Sequence, residues 1–237
     1  MLTEMLKIGE FTHDVIRDAV FTMFIAGFKT VQITTTNLIY KLLTNPAIYD
    51  KLMTEIRPPI DALNGKIQEG FTPEMAMDLD YLHCCYWEAM RLEPAVMSSA
   101  PACFSRDVTI GPEKMVFPKG LEFILQIDYI HMDPTQWVEP SKFEPERFNM
   151  SGGNKWTKTP DGKPRNPLSF VPFFGGRRIC IGKHFADVST RFTIPILFHH
   201  MDLQLADPEF VKPQYSVGAV EELAYPNVKF TIRNKVV

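Results

Sequence analysis

Phe173-Phe174-Gly175-Gly176-Arg177-Arg178-Ile179-Cys180-Ile181-Gly182 is a glycine-rich, arginine-bearing loop that opens straight into a helical pattern. Gly176 and Gly182 permit a tight turn and close backbone approach. A sulfur placed just ahead of a helix gains from the macrodipole and from the unpaired N–H groups of the first turn, which favour the thiolate. A thiolate held in that way can ligate iron, so Cys180 is the candidate metal ligand and the loop is the candidate cofactor cradle.

The rest of the chain is read outward from this loop. From about His13 to Thr44 there is neither proline nor a turn cluster, and a helix of ~30 residues would be ~45 Å long, enough to cross a whole domain. Asn45-Pro46 ends it and starts the next, since asparagine caps well and proline suits the first helical position; Pro58-Pro59 are expected to stop that helix at Arg57. Thr72-Pro73-Glu74 repeats the start signal, and a helix from about Asp80 to Leu92 carries Glu88 and Arg91 on one face. Short strands follow at Val108–Ile110, Met115–Phe117 and Leu121–Ile127, separated by Gly111-Pro112 and Pro118-Lys119-Gly120. Residues 133–172 are rich in proline, glycine and asparagine, but Trp137, Phe143, Phe148 and Trp156 point to a packed meander rather than a disordered linker. A last helix is expected from about Gly182 to His200 with a kink at Pro195, and residues 201–237 alternate as terminal strands do.

Composition narrows the options. The 237 residues are 45% hydrophobic and 22% charged, enough for a sizeable core, and the net charge of −3 points to no nucleic-acid partner. Cysteines 84, 85, 103 and 180 include no C-x-x-C, so neither a disulfide framework nor a zinc ribbon is signalled. Cys84-Cys85 and His199-His200 resemble metal ligands only superficially, because adjacent helical side chains point apart. Apolar runs such as Ala19–Ile25 fall well short of the ~20 residues of a bilayer span, so no membrane segment is expected, and the first residues do not read as a signal peptide. Charge is uneven. Between Lys155 and Lys183, seven basic side chains (Lys155, Lys158, Lys163, Arg165, Arg177, Arg178, Lys183) face one acid, Asp161. That excess suits either a solvated loop or a docking face for an acidic partner.

The spacing F-x-x-G-x-R-x-C-x-G resembles the haem-binding signature of the cytochrome P450 family. Glu88-Ala89-Met90-Arg91 is similar to that family's E-x-x-R, Pro145-Glu146-Arg147-Phe148 to its P-E-R-F segment, and Ala26-Gly27-Phe28-Lys29-Thr30, less closely, to its A-G-x-[DE]-T segment, all in the family's order. The resemblance runs from about residue 10 to the C-terminus and covers the C-terminal half of such a protein. It implies a mainly α fold with small β-sheets (α+β), containing a long distal helix, an E-x-x-R helix, a meander and a cysteine-ligand loop. Residues 1–237 would form one partial domain: helical over about 10–93, strands and meander over about 94–172, the thiolate loop and last helix over 173–200, terminal strands over 201–237. The implied cofactor is haem b and the implied reaction is insertion of one oxygen atom from dioxygen into a small apolar substrate. Electrons would come from a flavoprotein reductase or other donor. Where the full-length protein carries an N-terminal anchor, the cytoplasmic face of the endoplasmic reticulum is implied. The alternative is a truncated or degenerate fragment that binds haem without catalysis.

The resemblance also assigns roles. Cys180 would be the axial ligand, whose electron donation favours O–O cleavage. Arg178 would hold a haem propionate with its planar fork of donors, and Phe173 would pack beside the sulfur. Gly176 and Gly182 would shape the loop, and Ala26 and Gly27 would leave room on the distal helix. Glu88, Arg91 and Arg147 would form a buried structural network. Lys29 stands where the family's acid is expected, and an ammonium has donors but no acceptor. Thr30 and Thr34, one turn apart, are therefore the candidate proton-relay residues, and their spacing allows a hydroxyl ladder with water. Two further departures are the lack of arginine or histidine in Ser98–Ser105, where relatives place a second propionate partner, and Ser189 at a usual glutamate position. His131 with Asp133-Pro134 matches a family turn and reads as structural.

Overall fold

The computed structural model describes residues 2–149, 157–210, 216, 217, 220, 221 and 227–233. Lys155 and Trp156, read above as part of the basic excess and of the meander, lie outside them. Helix α1 (Leu2–Ile8) precedes α2 (His13–Leu43), where Thr12 caps the helix by accepting a hydrogen bond from the Val15 N–H at 3.3 Å. Its C-terminal half supplies Ile33, Leu38 and Leu42 to the core, whereas Phe21, Phe24, Ile25 and Phe28 are exposed.

The break after α2 falls where the Asn-Pro pair predicts it, but Asn45 works on the other helix. Its amide donates to the Lys41 carbonyl at 2.8 Å, finishing α2, and makes no side-chain cap for α3 (Pro46–Asp61). Nor do Pro58 and Pro59 stop α3 at Arg57. The helix continues through both because Ile60 is buried and the Ala62 N–H still reaches the Pro58 carbonyl at 3.1 Å; tertiary burial outweighs the two missing donors. Helices α4 (Ile67–Gly70) and α5 (Pro73–Met77) are short, α5 being capped by Thr72. Helix α6 (Asp80–Leu92) occupies the expected span.

Strands come only in antiparallel pairs among the described residues. β1 (Ala102–Cys103) pairs β4 (Glu122–Phe123), and β2 (Val108–Ile110) pairs β3 (Met115–Phe117). The strand expected over Leu121–Ile127 is cut short. Beyond Phe123 the chain touches residues 97–99 through isolated bonds, the Ile127 N–H reaching the Met97 carbonyl at 2.7 Å, and then coils into α7 (Ile127–His131). Helix α8 (Lys183–His200) runs through Pro195 into β5 (Met201–Leu205). β6 (Ser216–Val217) and β7 (Val220–Glu221) form a hairpin, and β8 (Val228–Ile232) pairs β5 with Met201 opposite Ile232.

The core lies where α2, α3, α6 and α8 meet, with Trp137, Phe143 and Phe148 of the meander packed into it. Among the described residues no helix is long and apolar enough to cross a membrane.

Candidate functional site

The scaffold beneath the cysteine loop is a buried charge network. Arg91 grips Glu88 with two parallel hydrogen bonds, Nε to Oε2 at 2.8 Å and Nη2 to Oε1 at 2.9 Å, and both side chains are fully buried. Arg147 adds a bond from Nε to Glu88 Oε1 at 3.2 Å, and the Glu144 N–H donates to the same oxygen at 3.0 Å. The arginines then reach the meander backbone, Arg91 to the His131 and Lys142 carbonyls and Arg147 to the Glu139 carbonyl. A carboxylate satisfied by four donors justifies burying three charges. Two guanidinium groups lie over the Trp137 ring, Arg165 at 3.8 Å and Arg91 at 4.9 Å from its centre.

His131 passes this order on to the loop. Its Nε2 accepts from the Val171 N–H at 2.9 Å, two residues before Phe173, while its own carbonyl is held by Arg91. Desolvation, helped by the neighbouring Arg91 charge, pushes its pKa down to about 3, so the ring is neutral and able to accept.

The loop hangs from that support. The Cys180 N–H donates to the Phe173 carbonyl at 2.9 Å, closing the turn, and Phe174 (φ 59°) and Gly176 (φ 65°) take the left-handed conformations it requires. Phe173, expected beside the sulfur, is half-buried against the core and holds Cys180 through its backbone. Cys180 is a free, exposed thiol, two residues ahead of Gly182, the N-cap of α8, which offers no side-chain cap to the helix's first N–H groups. A Cβ at Gly182 would come within 3.7 Å of the sulfur.

Beside the loop lies a cleft of about 840 Å³, walled by Ala100–Ala102, Phe123, Leu125, Ile127, Val171 and Phe174, with Gly175, Gly176 and Arg178 on its rim. The walls drawn from residues 99–127 were not singled out from the sequence, although the alternation Phe123, Leu125, Ile127 carries the signal: three apolar residues on one face. Arg178 makes no hydrogen bond or ion pair among the described residues. A Cβ at Gly175 or Gly176 would meet nothing within 4 Å.

On the distal side, α2 passes close to α8 at Gly27, where an added Cβ would lie 3.5 Å from the Phe185 ring, an ordinary contact with a side chain rather than a tight backbone crossing. Phe24 and Phe28 stack 6.1 Å apart. Thr30 donates its hydroxyl hydrogen to the Ala26 carbonyl at 2.7 Å. Thr34 is buried, and no hydrogen bond joins it to Thr30. Part of the basic excess is also engaged: Lys163 pairs with Asp161 at 2.7 Å and Arg165 is built into the meander, leaving Arg177, Arg178 and Lys183 exposed beside the loop.

Comparison with known proteins bears directly on this arrangement. The family model described as Cytochrome P450 matches residues 1–229. The chain belongs to the cytochrome P450 family. Among its relatives are the "Probable cytochrome P450 6d5" of Drosophila melanogaster (27% identical, 82% of this chain and 35% of that one) and the "Oryzalexin E synthase" of Oryza sativa subsp. japonica (32%, 89% and 39%). The "Flavonoid 3'-monooxygenase" of Petunia hybrida is 29% identical over 93% of this chain and 41% of its own. A crystal structure of a cytochrome P450, CYP102L1, superposes with a TM-score of 0.79 at 22% identity, covering 94% of this chain and 46% of that one, which shows the same fold. The chain spans about two fifths of the length of the curated P450 relatives it matches.

Haem b is the P450 family's cofactor, and the residues present suit it. They offer an exposed sulfur ahead of a helix N-terminus, a guanidinium beside an apolar cleft with no hydrogen bond or ion pair among the described residues, and two glycines whose missing side chains leave the approach open.

Proposed function

We propose that this chain is the haem-thiolate part of a monooxygenase that inserts one oxygen atom from dioxygen into an apolar organic substrate, with electrons from a flavoprotein reductase. The observation that carries the reading is the free Cys180 sulfur, fixed by the 2.9 Å bond of its own N–H to Phe173 and presented ahead of α8. Thiolate-ligated haem, when bound, supplies reductive activation of dioxygen. Cys180 would be its iron ligand. Arg178 would hold a carboxylate of the porphyrin, and the cleft beside it would exclude water. Phe24 and Phe28 would give the substrate an apolar wall. With its hydrogen donated to the Ala26 carbonyl, the Thr30 hydroxyl keeps its lone pairs to accept from water and must rotate away before it can pass a proton on. The exposed Arg177 and Lys183 support docking of an acidic electron donor near the sulfur. Residues 1–237 would act as one partial domain.

The test is hemin reconstitution followed by reduction and carbon monoxide. A strongly red-shifted Soret band is expected, lost in Cys180→Ala; equal pigment uptake and unchanged absorbance in that variant overturn the reading. A second reading, a haem-binding fragment without catalysis, is favoured by Lys29 at the acid's position together with the engaged Thr30 hydroxyl. Reductase-driven oxygen uptake with product formation separates the two.

A further inference from the structure

Two turns of the chain place a glycine directly after an asparagine or an aspartate: Asn64-Gly65 between α3 and α4, and Asp161-Gly162 in the meander. No other Asn-Gly or Asp-Gly pair occurs in the sequence. Both glycines take left-handed φ angles, 83° at Gly65 and 81° at Gly162. In such a pair the glycine has no side chain to shield its backbone nitrogen from the side-chain carbonyl carbon before it, and asparagine is among the thermolabile residues. Sequence alone does not separate the two turns.

Hydrogen bonding does separate them. Asn64 (φ 50°) and Gly65 are both exposed. Among the described residues neither the Gly65 N–H nor the Asn64 side chain makes a hydrogen bond, and a Cβ at Gly65 would meet nothing within 4 Å. This turn is held from its flanks, the Asn64 N–H donating to the Asp61 carbonyl at 3.1 Å and the Lys66 N–H to the Leu63 carbonyl at 3.0 Å. In the meander the Gly162 N–H donates to the Thr159 carbonyl at 2.9 Å, while the Asp161 carboxylate accepts from the Thr159 hydroxyl and pairs with Lys163 at 2.7 Å. The glycine nitrogen and the side chain before it are therefore both engaged at Asp161-Gly162 and both available at Asn64-Gly65.

We propose that Asn64-Gly65 is a self-modifying site, at which Asn64 deamidates with water as the sole co-reactant and the product loosens the junction of α3 and α4. The Gly65 nitrogen gives its proton to a solvent base and bonds to Asn64 Cγ; the bond from Cγ to the side-chain nitrogen breaks, and that nitrogen leaves as ammonia. Water then opens the cyclic imide at one carbonyl or the other, leaving aspartate or isoaspartate. One water enters, one ammonia leaves, and no atom is oxidised or reduced. The new carboxylate stands three residues beyond the end of α3, with its own N–H on the Asp61 carbonyl, where the negative end of the helix disfavours it. Isoaspartate also lengthens the backbone by one carbon next to Leu63, which packs against the core and so close to Gly70 that a Cβ there would lie 2.8 Å from Leu63 Cδ2.

The experiment ages the purified chain in mildly acidic and mildly alkaline buffer, then maps its tryptic peptides by mass and assays isoaspartate. Peptide 52–66, in which Asn64 is the sole asparagine, is expected to gain the mass difference between an amide and an acid, with matching release of ammonia. The gain is expected to be faster in alkali, because the attacking nitrogen must lose its proton. Folded and urea-unfolded chains are expected to convert Asn64 at similar rates, whereas isoaspartate at Asp161 forms only in urea. Asn64→Gly, which suits the same φ, is expected to abolish the change. The aged parent chain is expected to unfold at a lower urea midpoint than the fresh one, and aged Asn64→Gly at an unaltered midpoint. Survival of Asn64 in the folded chain while the unfolded chain converts it overturns the site, as does a mass gain that persists in Asn64→Gly. Equal isoaspartate at Asp161 in folded and unfolded chains overturns the protection by hydrogen bonding, and an unchanged midpoint after conversion overturns the loosening. None of these readouts involves haem, so the monooxygenase reading stands or falls separately.

Discussion

Glu88 shows how a residue pattern of little specificity becomes a structural keystone. E-x-x-R places two side chains on one helix face, and exposed pairs of that kind contribute little. Here Glu88 Oε1 accepts from three donors, Arg91 on its own helix and Arg147 and the Glu144 N–H from one turn of the meander. Glu88→Gln leaves two guanidinium groups buried against a neutral amide, and breaking such a pair costs about 3–5 kcal/mol. Urea unfolding should show a midpoint lowered accordingly, and hemin uptake should fall with it. The pairing with Arg91 is legible in the i, i+3 spacing, whereas the 59-residue separation from Arg147 reads only through the family resemblance. At Thr30 the local backbone decides: a hydroxyl within one turn of a carbonyl bonds it, and spacing alone does not tell that outcome from a ladder to Thr34.

At the scale of elements, α6 illustrates a cap that sequence cannot reveal. Its N-cap residue is Leu79, which has no acceptor, and the first turn would be left with free N–H groups. Glu55 of α3 supplies both acceptors, Oε1 to the Tyr81 N–H at 2.7 Å and Oε2 to the Leu82 N–H at 2.9 Å. Glu55→Gln retains one acceptor and loses the favourable charge at the helix start; Glu55→Ala loses both acceptors, and a lost cap costs about 0.5–2 kcal/mol. Equilibrium urea unfolding should rank the parent chain above Glu55→Gln above Glu55→Ala, and equal midpoints for all three would remove Glu55 from the account. Helix α3 makes a related point, for Pro58 and Pro59 carry a local stop signal that Ile60 overrides by burial.

For the molecule as a whole, stability should depend on pH through the buried His131 and the half-buried His83. Burial lowers the pKa of His131 to about 3 and of His83 to about 4, from 6.5. Each stays neutral in the folded chain while the unfolded chain takes up its proton, so the stability is fully present above pH 6.5 and lost as pH falls toward those values. Between about pH 6.5 and 4.5 the free energy of unfolding should fall by up to about 1.4 kcal/mol per pH unit for His131, and by less for His83, which solvent screens in part. In His131→Gln, whose amide oxygen can still accept from Val171, the larger part of that slope should vanish in urea titrations at pH 4.5, 5.5 and 6.5. A slope equal to that of the parent chain would count against a neutral buried His131.

The sequence by itself determined the cysteine loop, the order of the motifs, the long helix α2 and the span of α6, because these rest on local rules: turn-forming glycines, caps, prolines and the spacing of helical faces. Only the tertiary structure decided that Arg165 and Arg91 lie over the Trp137 ring, that His131 accepts from Val171, that Glu55 caps a helix 26 residues away, and that Phe123, Leu125 and Ile127 wall the cleft beside Arg178. Those contacts join residues far apart along the chain. Their partners are chosen by which buried donors and acceptors the packing of α2, α3, α6 and α8 leaves face to face, and no local pattern encodes that choice.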